Sequence, residues 1–228
     1  MKLIMPMAGV GSRFGPGVTK PLVDVSGVPM FVYSERCIGI DFSERIFITR
    51  VEHDLRDVIE SYYPGSTVIE IDYVTQGTAE SILLAREHYE DGSDIFVSNC
   101  DQAVSWDSSF AQALMTVSDG LIATFDAPDQ DPKWSYALST PSGRVTKVAE
   151  KVAISRTATV GYYYWRDGRD YIAAAEHMIA DNVRVNGEFY TCPVYNYNIA
   201  HGENIQTIGV ESMHGLGAPE DLKLWQNL

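Results

Sequence analysis

Hydrophobic positions in the first half of the chain alternate between short continuous runs and helical stripes. The apolar run Leu3–Met7 predicts a strand over Lys2–Met7, buried on both faces. A loop follows from Ala8 to Lys20, and Pro29–Ile38 then predicts a helix. Arg45–Thr49 reads as a short β-branched strand. His53–Tyr62 places Leu55, Val58, Ile59 and Tyr62 on one helical face and stops at Pro64–Gly65. Thr67–Val74 is a strand, Ala79–Tyr89 a helix with Ile82, Leu83 and Ala85 inward, and Asp94–Ser98 a strand. Ser108–Val117 is a helix and Gly120–Phe125 a strand. Strands separated by helical segments call for a mostly parallel α/β sheet flanked by helices.

The pattern changes after Phe125. Tyr136–Ser139, Val145–Ala149 and Thr157–Trp165 are strands with short turns between them, such as Pro141–Ser142–Gly143. They predict a small antiparallel subregion beside the α/β body. A helix over Arg169–Ala180 follows, then an aromatic-rich, partly helical stretch at Asn186–Ala200. A strand at Ile205–Val210 and a helix beginning near Pro219 complete the pattern. No repeat, low-complexity stretch or linker interrupts it, so residues 1–228 are expected to form one domain.

Charge changes the picture in one place. The chain of 228 residues carries 31 acids against 17 bases, for a net charge of −14. Such a surface repels nucleic-acid backbones, which argues against a nucleic-acid partner. Yet no acid occurs before Asp24, while Lys2, Arg13 and Lys20 do. An acid-free, cation-bearing opening suits an anion. Cys37, Cys100 and Cys192 show neither zinc spacing nor a disulfide framework. With no membrane-length apolar run and a poor signal-peptide pattern at the N-terminus, the expectation is a cytoplasmic protein.

That opening is also rich in glycine. Ala8–Pro21 reads Ala-Gly-Val-Gly-Ser-Arg-Phe-Gly-Pro-Gly-Val-Thr-Lys-Pro, directly after the first strand. Glycines there let backbone N–H groups approach a phosphate closely. The dinucleotide pattern fails at Phe14, and the Walker pattern fails because Thr19 precedes Lys20. The pattern G-x-G-x-R followed by Lys-Pro fits at Gly9, Gly11, Arg13, Lys20 and Pro21. This loop resembles the signature of the sugar-phosphate nucleotidyltransferases, the nucleoside-diphosphate-sugar pyrophosphorylases.

The resemblance extends over most of the chain. Gln76-Gly77-Thr78-Ala79 resembles the family's base-recognition turn, and is equally a helix start capped by Thr78. Asp101, after Val97-Ser98-Asn99-Cys100, matches the family's magnesium-binding Asp. Glu150-Lys151 is similar to its acceptor-binding pair, and Gly161 to the glycine against which the acceptor packs. Gly217-Ala218-Pro219-Glu220-Asp221-Leu222 is similar to its C-terminal segment. One departure stands out: the second metal-binding Asp of the family falls on Gly215, with Glu211 or His214 as replacements. Two polar-aromatic clusters, containing Trp134 and Glu188–Tyr190, fall on the acceptor side; aromatics there can floor a sugar site or cage a quaternary ammonium.

The resemblance implies a GT-A-like, Rossmann-type fold, with nucleotide held by roughly residues 1–126 and acceptor by roughly 127–228. It implies transfer of a nucleoside monophosphate from a triphosphate to a sugar 1-phosphate or other small phosphorylated acceptor, releasing pyrophosphate, with Mg²⁺ as cofactor. Ala8, Gly9, Gly11, Gln76, Gly77 and Thr78 would hold the nucleotide, and Asp101 the metal. Arg13, Lys20 and Lys151 would neutralise phosphate charge, while Trp134, Glu150, Gly161, Glu188 and Tyr190 would hold the acceptor. The closest likeness is to short members of bacterial capsule and surface-polysaccharide loci, some of them cytidylyltransferases. CTP or UTP is therefore the expected donor. Members often form homo-oligomers. A GT-A-type glycosyltransferase and a non-catalytic nucleotide or nucleotide-sugar binder are the alternatives; the two loop cations speak against the first and Gly215 keeps the second open.

Overall fold

The computed structural model describes residues 1–227. From the N-terminus come β1 (Lys2–Pro6), the hairpin β2 (Asp24–Val25) and β3 (Val28–Pro29), α1 (Met30–Arg36), β4 (Glu44–Arg50), α2 (Arg56–Tyr62), β5 (Thr67–Ile71) and α3 (Thr78–Leu83). Then follow β6 (Ile95–Ser98), β7 (Gln102–Ser105), α4 (Ser108–Met115), β8 (Gly120–Asp126), β9 (Ser135–Ser139), β10 (Val145–Glu150) and β11 (Thr157–Trp165). The last elements are α5 (Gly168–Ala180), α6 (Tyr195–Ala200), β12 (Ile205–Gly209), β13 (Ser212–Gly215) and α7 (Pro219–Gln226).

Among the described residues the main sheet has nine strands, in the order β10-β9-β11-β6-β1-β4-β5, with β8 on the flank of β11 and β12 beyond it. β1 pairs in parallel with β4 and β6, and β4 with β5. β11 runs antiparallel to β6 and β8. The fold is a mostly parallel α/β sheet flanked by helices, as the residue pattern predicts.

Both faces of β1 are covered, which explains its unbroken apolar run. Ile4 faces a core built with Ile82 of α3, Met178 of α5 and Tyr195 of α6. Leu3 faces the layer carrying Ala111 and Met115 of α4. Met5 packs with Phe31 of α1 and Ile59 of α2. The aromatic stretch after Asn186 partly joins the first core, where Tyr195 stacks on Trp165 with ring centroids 4.2 Å apart. No helix of the described residues is long and apolar enough to cross a membrane.

Three local readings change. The helix expected over Ala79–Tyr89 ends at Leu83 and resumes only as a 3₁₀ turn at Arg86–His88. Tyr89 still buries its ring, because its hydroxyl folds back to donate to the Ile82 carbonyl at 2.8 Å. β7 and β13 were not predicted; they form a separate two-stranded ladder pairing Gln102 with Gly215, a partnership that no local pattern announces. The strand expected over Thr67–Val74 stops at Ile71, where its pairing with β4 ends at Arg50.

Candidate active site

Ligands in open α/β sheets bind beyond the carboxyl ends of the parallel strands. Here β1 leads into the glycine loop and its neighbour β6 leads into Asn99–Asp101. Two adjoining cavities open at that edge. A cleft of about 440 Å³ is lined by Ala8, Gly9, Gly11, Arg13, Lys20, Gly77, Thr78 and Glu188, with Pro6, Thr75 and Ser81 behind them. A second cavity of about 250 Å³ is lined by Asp101, Trp134, Glu150, Lys151, Gly161 and Tyr190, together with Asn99, Gln102, Ser135, Thr159 and Asp221. Arg13, Thr78 and Gly217 line both.

Lys20 links the loop to β6. Its Nζ donates to Asp101 Oδ2 at 2.8 Å, and each side chain is 23% exposed. Burial alone would raise the Asp101 carboxyl, but the Lys20 ammonium and the nearby Arg13 guanidinium hold it below its ordinary value. Burial likewise opposes the Lys20 charge, and the Asp101 carboxylate more than offsets this. The charged pair is therefore the resting state at neutral pH.

The turn before α3 forms one wall of the cleft. Gly77 has φ 137°, and a Cβ there would lie 2.2 Å from the Phe189 carbonyl oxygen. That close approach lets Phe189 N–H donate to the Gln76 carbonyl at 2.7 Å and Ala79 N–H to the Phe189 carbonyl at 3.0 Å. The segment carrying Glu188 and Tyr190 is thereby clamped against the turn. Thr78 does not cap α3; its hydroxyl instead accepts from Thr191 N–H at 3.1 Å. Gln76 lies outside the lining of the cleft. Its amide oxygen accepts from Arg184 Nη2 at 2.6 Å, and that guanidinium covers the Phe189 ring at 3.8 Å. Glu188, expected beside Glu150, Gly161 and Tyr190, lines the first cleft and not the second cavity where they lie. The clamp at Gly77 draws its loop to that side.

The second cavity is shaped by a bend in β11. Its register with β8 shifts between Thr159 and Tyr163, around Gly161 at φ 85°. A Cβ on Gly161 would lie 2.3 Å from Asn99 Nδ2. Glu150 is 7% exposed and accepts from the Ser135 hydroxyl. Burial raises its carboxyl above the ordinary value. Lys151 adopts a left-handed backbone at φ 55°, uncommon for a side chain of this kind. Its N–H donates to the Trp134 carbonyl at 3.0 Å, and its Nζ lies 4.7 Å from the Tyr190 ring centre. Strain of about 1–3 kcal/mol at such a position is typical where a side chain must be aimed.

The carboxylate missing at Gly215 has a neighbour that the sequence did not single out. Glu211 accepts from the Ser105 hydroxyl at 2.7 Å, away from the cavity. Met213 and Gly215 face the cavity, so strand alternation turns His214 from it. Asp221 instead lines the cavity, its Oδ2 3.8 Å from where a Gly215 Cβ would stand. Asn99, Gln102 and Thr191 are likewise cavity residues that sequence reasoning passed over. Asn99 and Gln102 sit beside Asp101, the only signal that could have found them.

Among the described residues no group of three or more His, Cys, Asp or Glu side chains could by itself hold a metal ion. Asp101 and Asp221 offer oxygen donors in one cavity, and Gly217 keeps the space at Asp101 open, since a Cβ there would lie 2.6 Å from Asp101 Oδ2. One or two carboxylates completed by phosphate oxygens and water is the ligand set Mg²⁺ takes, so the residues fit that ion.

The glycine loop with its two cations, the anchored Asp101 and the adjoining polar cavity offer groups that can hold phosphates and a cation side by side. The family model of the MobA-like NTP transferase domain matches residues 4–156. The chain belongs to that family. This transferase is accordingly a nucleotidyltransferase. It is similar to the nucleoside-diphosphate-sugar pyrophosphorylase from Vibrio cholerae RC9, with TM-score 0.85 and 25% identity over 99% of this chain and 100% of that one. The inositol-1-phosphate CTP transferase from T. maritima superposes with TM-score 0.75 at 17% identity, over 99% of this chain and 93% of that one. A UDP-glucose pyrophosphorylase complexed with UDP-glucose gives TM-score 0.79 at 15% identity, over 99% and 97%. The last two likenesses concern the fold alone. No curated protein matches the chain in sequence.

Proposed function

We propose that this transferase moves a nucleoside monophosphate from CTP or UTP to a sugar 1-phosphate, in the supply of precursors for a surface or capsular polysaccharide. The observation carrying this reading is the seam between the cavities. Arg13 lines both, and Lys20 reaches from the nucleotide cleft to Asp101 on the acceptor side. An α-phosphate at that seam would meet both cations, with its base towards Gly77 and the acceptor towards Glu150 and Gly161. A phosphate oxygen of the acceptor attacks the α-phosphorus, forming a P–O bond while the bond to the β-phosphate oxygen breaks and pyrophosphate leaves. The nucleophile is already an anion, so no general base is required. Catalysis is positioning and charge neutralisation. Mg²⁺ bound at Asp101 and Asp221 would supply further neutralisation of phosphate charge.

In this reading the loop amides and Arg13 hold the triphosphate, Lys20 stabilises charge at the α-phosphate, and Lys151 holds the acceptor phosphate. Residues 1–228 act as one domain, and each substrate draws on both halves of the chain: Glu188 and Gly217 line the nucleotide cleft, and Asn99 and Asp101 the acceptor cavity. A nucleoside-diphosphate-sugar pyrophosphorylase among the similar structures supports the acceptor class.

The test is pyrophosphate release with each of the four common ribonucleoside triphosphates against hexose 1-phosphates, inositol 1-phosphate and phosphocholine, in Mg²⁺. Release with CTP or UTP and a sugar 1-phosphate is expected. Release of the free nucleoside diphosphate from a nucleotide sugar, without pyrophosphate from any pair, would replace this reading by glycosyl transfer.

A further inference from the structure

Gln102 begins β7, is 2% exposed and lines the acceptor cavity. Its backbone N–H is satisfied by the Ser34 hydroxyl at 3.0 Å, but its side-chain Nε2 has no hydrogen-bond partner. Buried amides left unpaired are rare in folded proteins and call for an explanation. In the same cavity, Glu150 accepts from the Ser135 hydroxyl, and the Thr159 and Tyr163 hydroxyls lie 2.9 Å apart. Gly161 lets β11 pass close to the amide, since a Cβ there would stand 3.0 Å from Gln102 Oε1 and 2.3 Å from Asn99 Nδ2.

The aromatic residues nearby carry the complementary signal. Lys133 Nζ lies 4.8 Å from the Trp134 ring centre, and Lys151 Nζ 4.7 Å from that of Tyr190. The chain's own ammonium groups thus already engage one face of each ring.

We propose that Gln102 is a specificity-determining residue that hydrogen-bonds a hydroxyl of the acceptor while the buried Glu150 carboxyl engages a neighbouring hydroxyl, so that the pair selects polyhydroxylated phosphate monoesters over cationic ones. This rests on the acceptor-cavity assignment made above. A hydroxyl both donates and accepts, and so suits an unpaired amide and a carboxyl side by side. A site built to hydrogen-bond a hydroxyl discriminates strongly against a ligand lacking it, because the buried partners are then left unpaired.

The test compares the wild type with Gln102→Leu and Gln102→Met, two variants of similar bulk without the amide. Calorimetry measures binding of glucose 1-phosphate, inositol 1-phosphate and phosphocholine to the protein with Mg²⁺ and a non-hydrolysable triphosphate. At least one polyol phosphate is expected to bind the wild type more tightly than phosphocholine and to lose about tenfold or more in both variants. Steady-state kinetics should show the same rise in acceptor KM, with triphosphate KM unchanged. Thermal midpoints should stay level or rise, because an unpaired donor has been removed; a merely structural amide would lower them. Tighter phosphocholine binding, no binding of any of the three, or unchanged polyol-phosphate binding in both folded variants overturns the proposal. Binding that depends on Gln102 without pyrophosphate release would overturn the transfer reading and leave the role of Gln102 standing. Pyrophosphate release with unaltered acceptor KM in both variants would do the reverse.

Discussion

Replacing Lys20 by Met removes the ammonium 2.8 Å from Asp101 Oδ2 while keeping most of the aliphatic stem. The Asp101 carboxylate, 23% exposed, is then left with the more distant Arg13 as its cationic neighbour. An exposed ion pair contributes up to about 1 kcal/mol, whereas removing one partner of a fully buried pair costs about 3–5 kcal/mol. A pair about three-quarters buried falls between, at about 2 kcal/mol. In a chain of this length each kcal/mol moves the midpoint by roughly 2–4 °C, so a fall of about 4–8 °C is expected in metal-free buffer. The depressed Asp101 carboxyl stabilises the fold above its unfolded value near ~4 and loses that contribution as pH falls through its folded value. The raised Lys20 ammonium stabilises below its unfolded value near ~10 and loses that contribution as pH rises through its folded value. The wild-type advantage is therefore full between about pH 5 and pH 10 and narrows outside that window. Mg²⁺ without nucleotide must compete with the ammonium in the wild type but not in the variant. Differential scanning fluorimetry should show Mg²⁺ restoring part of the lost midpoint in Lys20→Met and moving the wild type less. An unchanged midpoint in the variant, or an equal Mg²⁺ response in both proteins, would refute the coupling of Lys20 to Asp101 and the metal.

Arg13 is exposed, so Arg13→Ala should leave the thermal midpoint almost unchanged while lowering turnover by about 10²–10³, as loss of a preorganised charge typically does; an initial-rate assay beside a melting curve reads both. Gly77→Ala drives a Cβ into the Phe189 carbonyl at 2.2 Å and should cost about 3 kcal/mol or more with a rise in triphosphate KM, measurable by urea unfolding and kinetics. Glu150 is raised by burial, so its protonated form favours the fold, and that advantage is lost as pH rises from the unfolded value near ~4.3 through the folded one. Glu150→Gln does not titrate, so its midpoint should gain on the wild type from pH 4 to pH 8, while acceptor KM rises. A variant midpoint that falls relative to the wild type as pH rises would contradict the buried-acid account.

The parts legible in the sequence were those fixed by local chemistry. The apolar run at β1 and the helical stripe at Leu55, Val58 and Ile59 reflect faces that must be buried, and a periodicity records that directly. The glycine loop was legible for the same reason: glycines at set spacings with cations close by are written in the order of the residues. Gln76 and Glu188 show the limit. Their neighbours line the two cavities, but which way each side chain faces depended on a contact between Gly77 and Phe189, more than a hundred residues apart.

By itself, the sequence determined the α/β class, the glycine loop carrying Arg13 and Lys20 after the first strand, and the placement of Asp101 at a strand end. Tertiary structure alone decided that Lys20 and Asp101 form one pair, that Asp221 stands beside the gap left at Gly215, and that the side-chain Nε2 of Gln102 is buried without a partner. The physical reason lies in range. Propensity, patterning and loop chemistry act over a few residues and leave a trace in order and spacing. The pairing of β7 with β13, the bend at Gly161 and the clamp at Gly77 bring together groups far apart in the chain, and neither composition nor spacing carries their distance or direction.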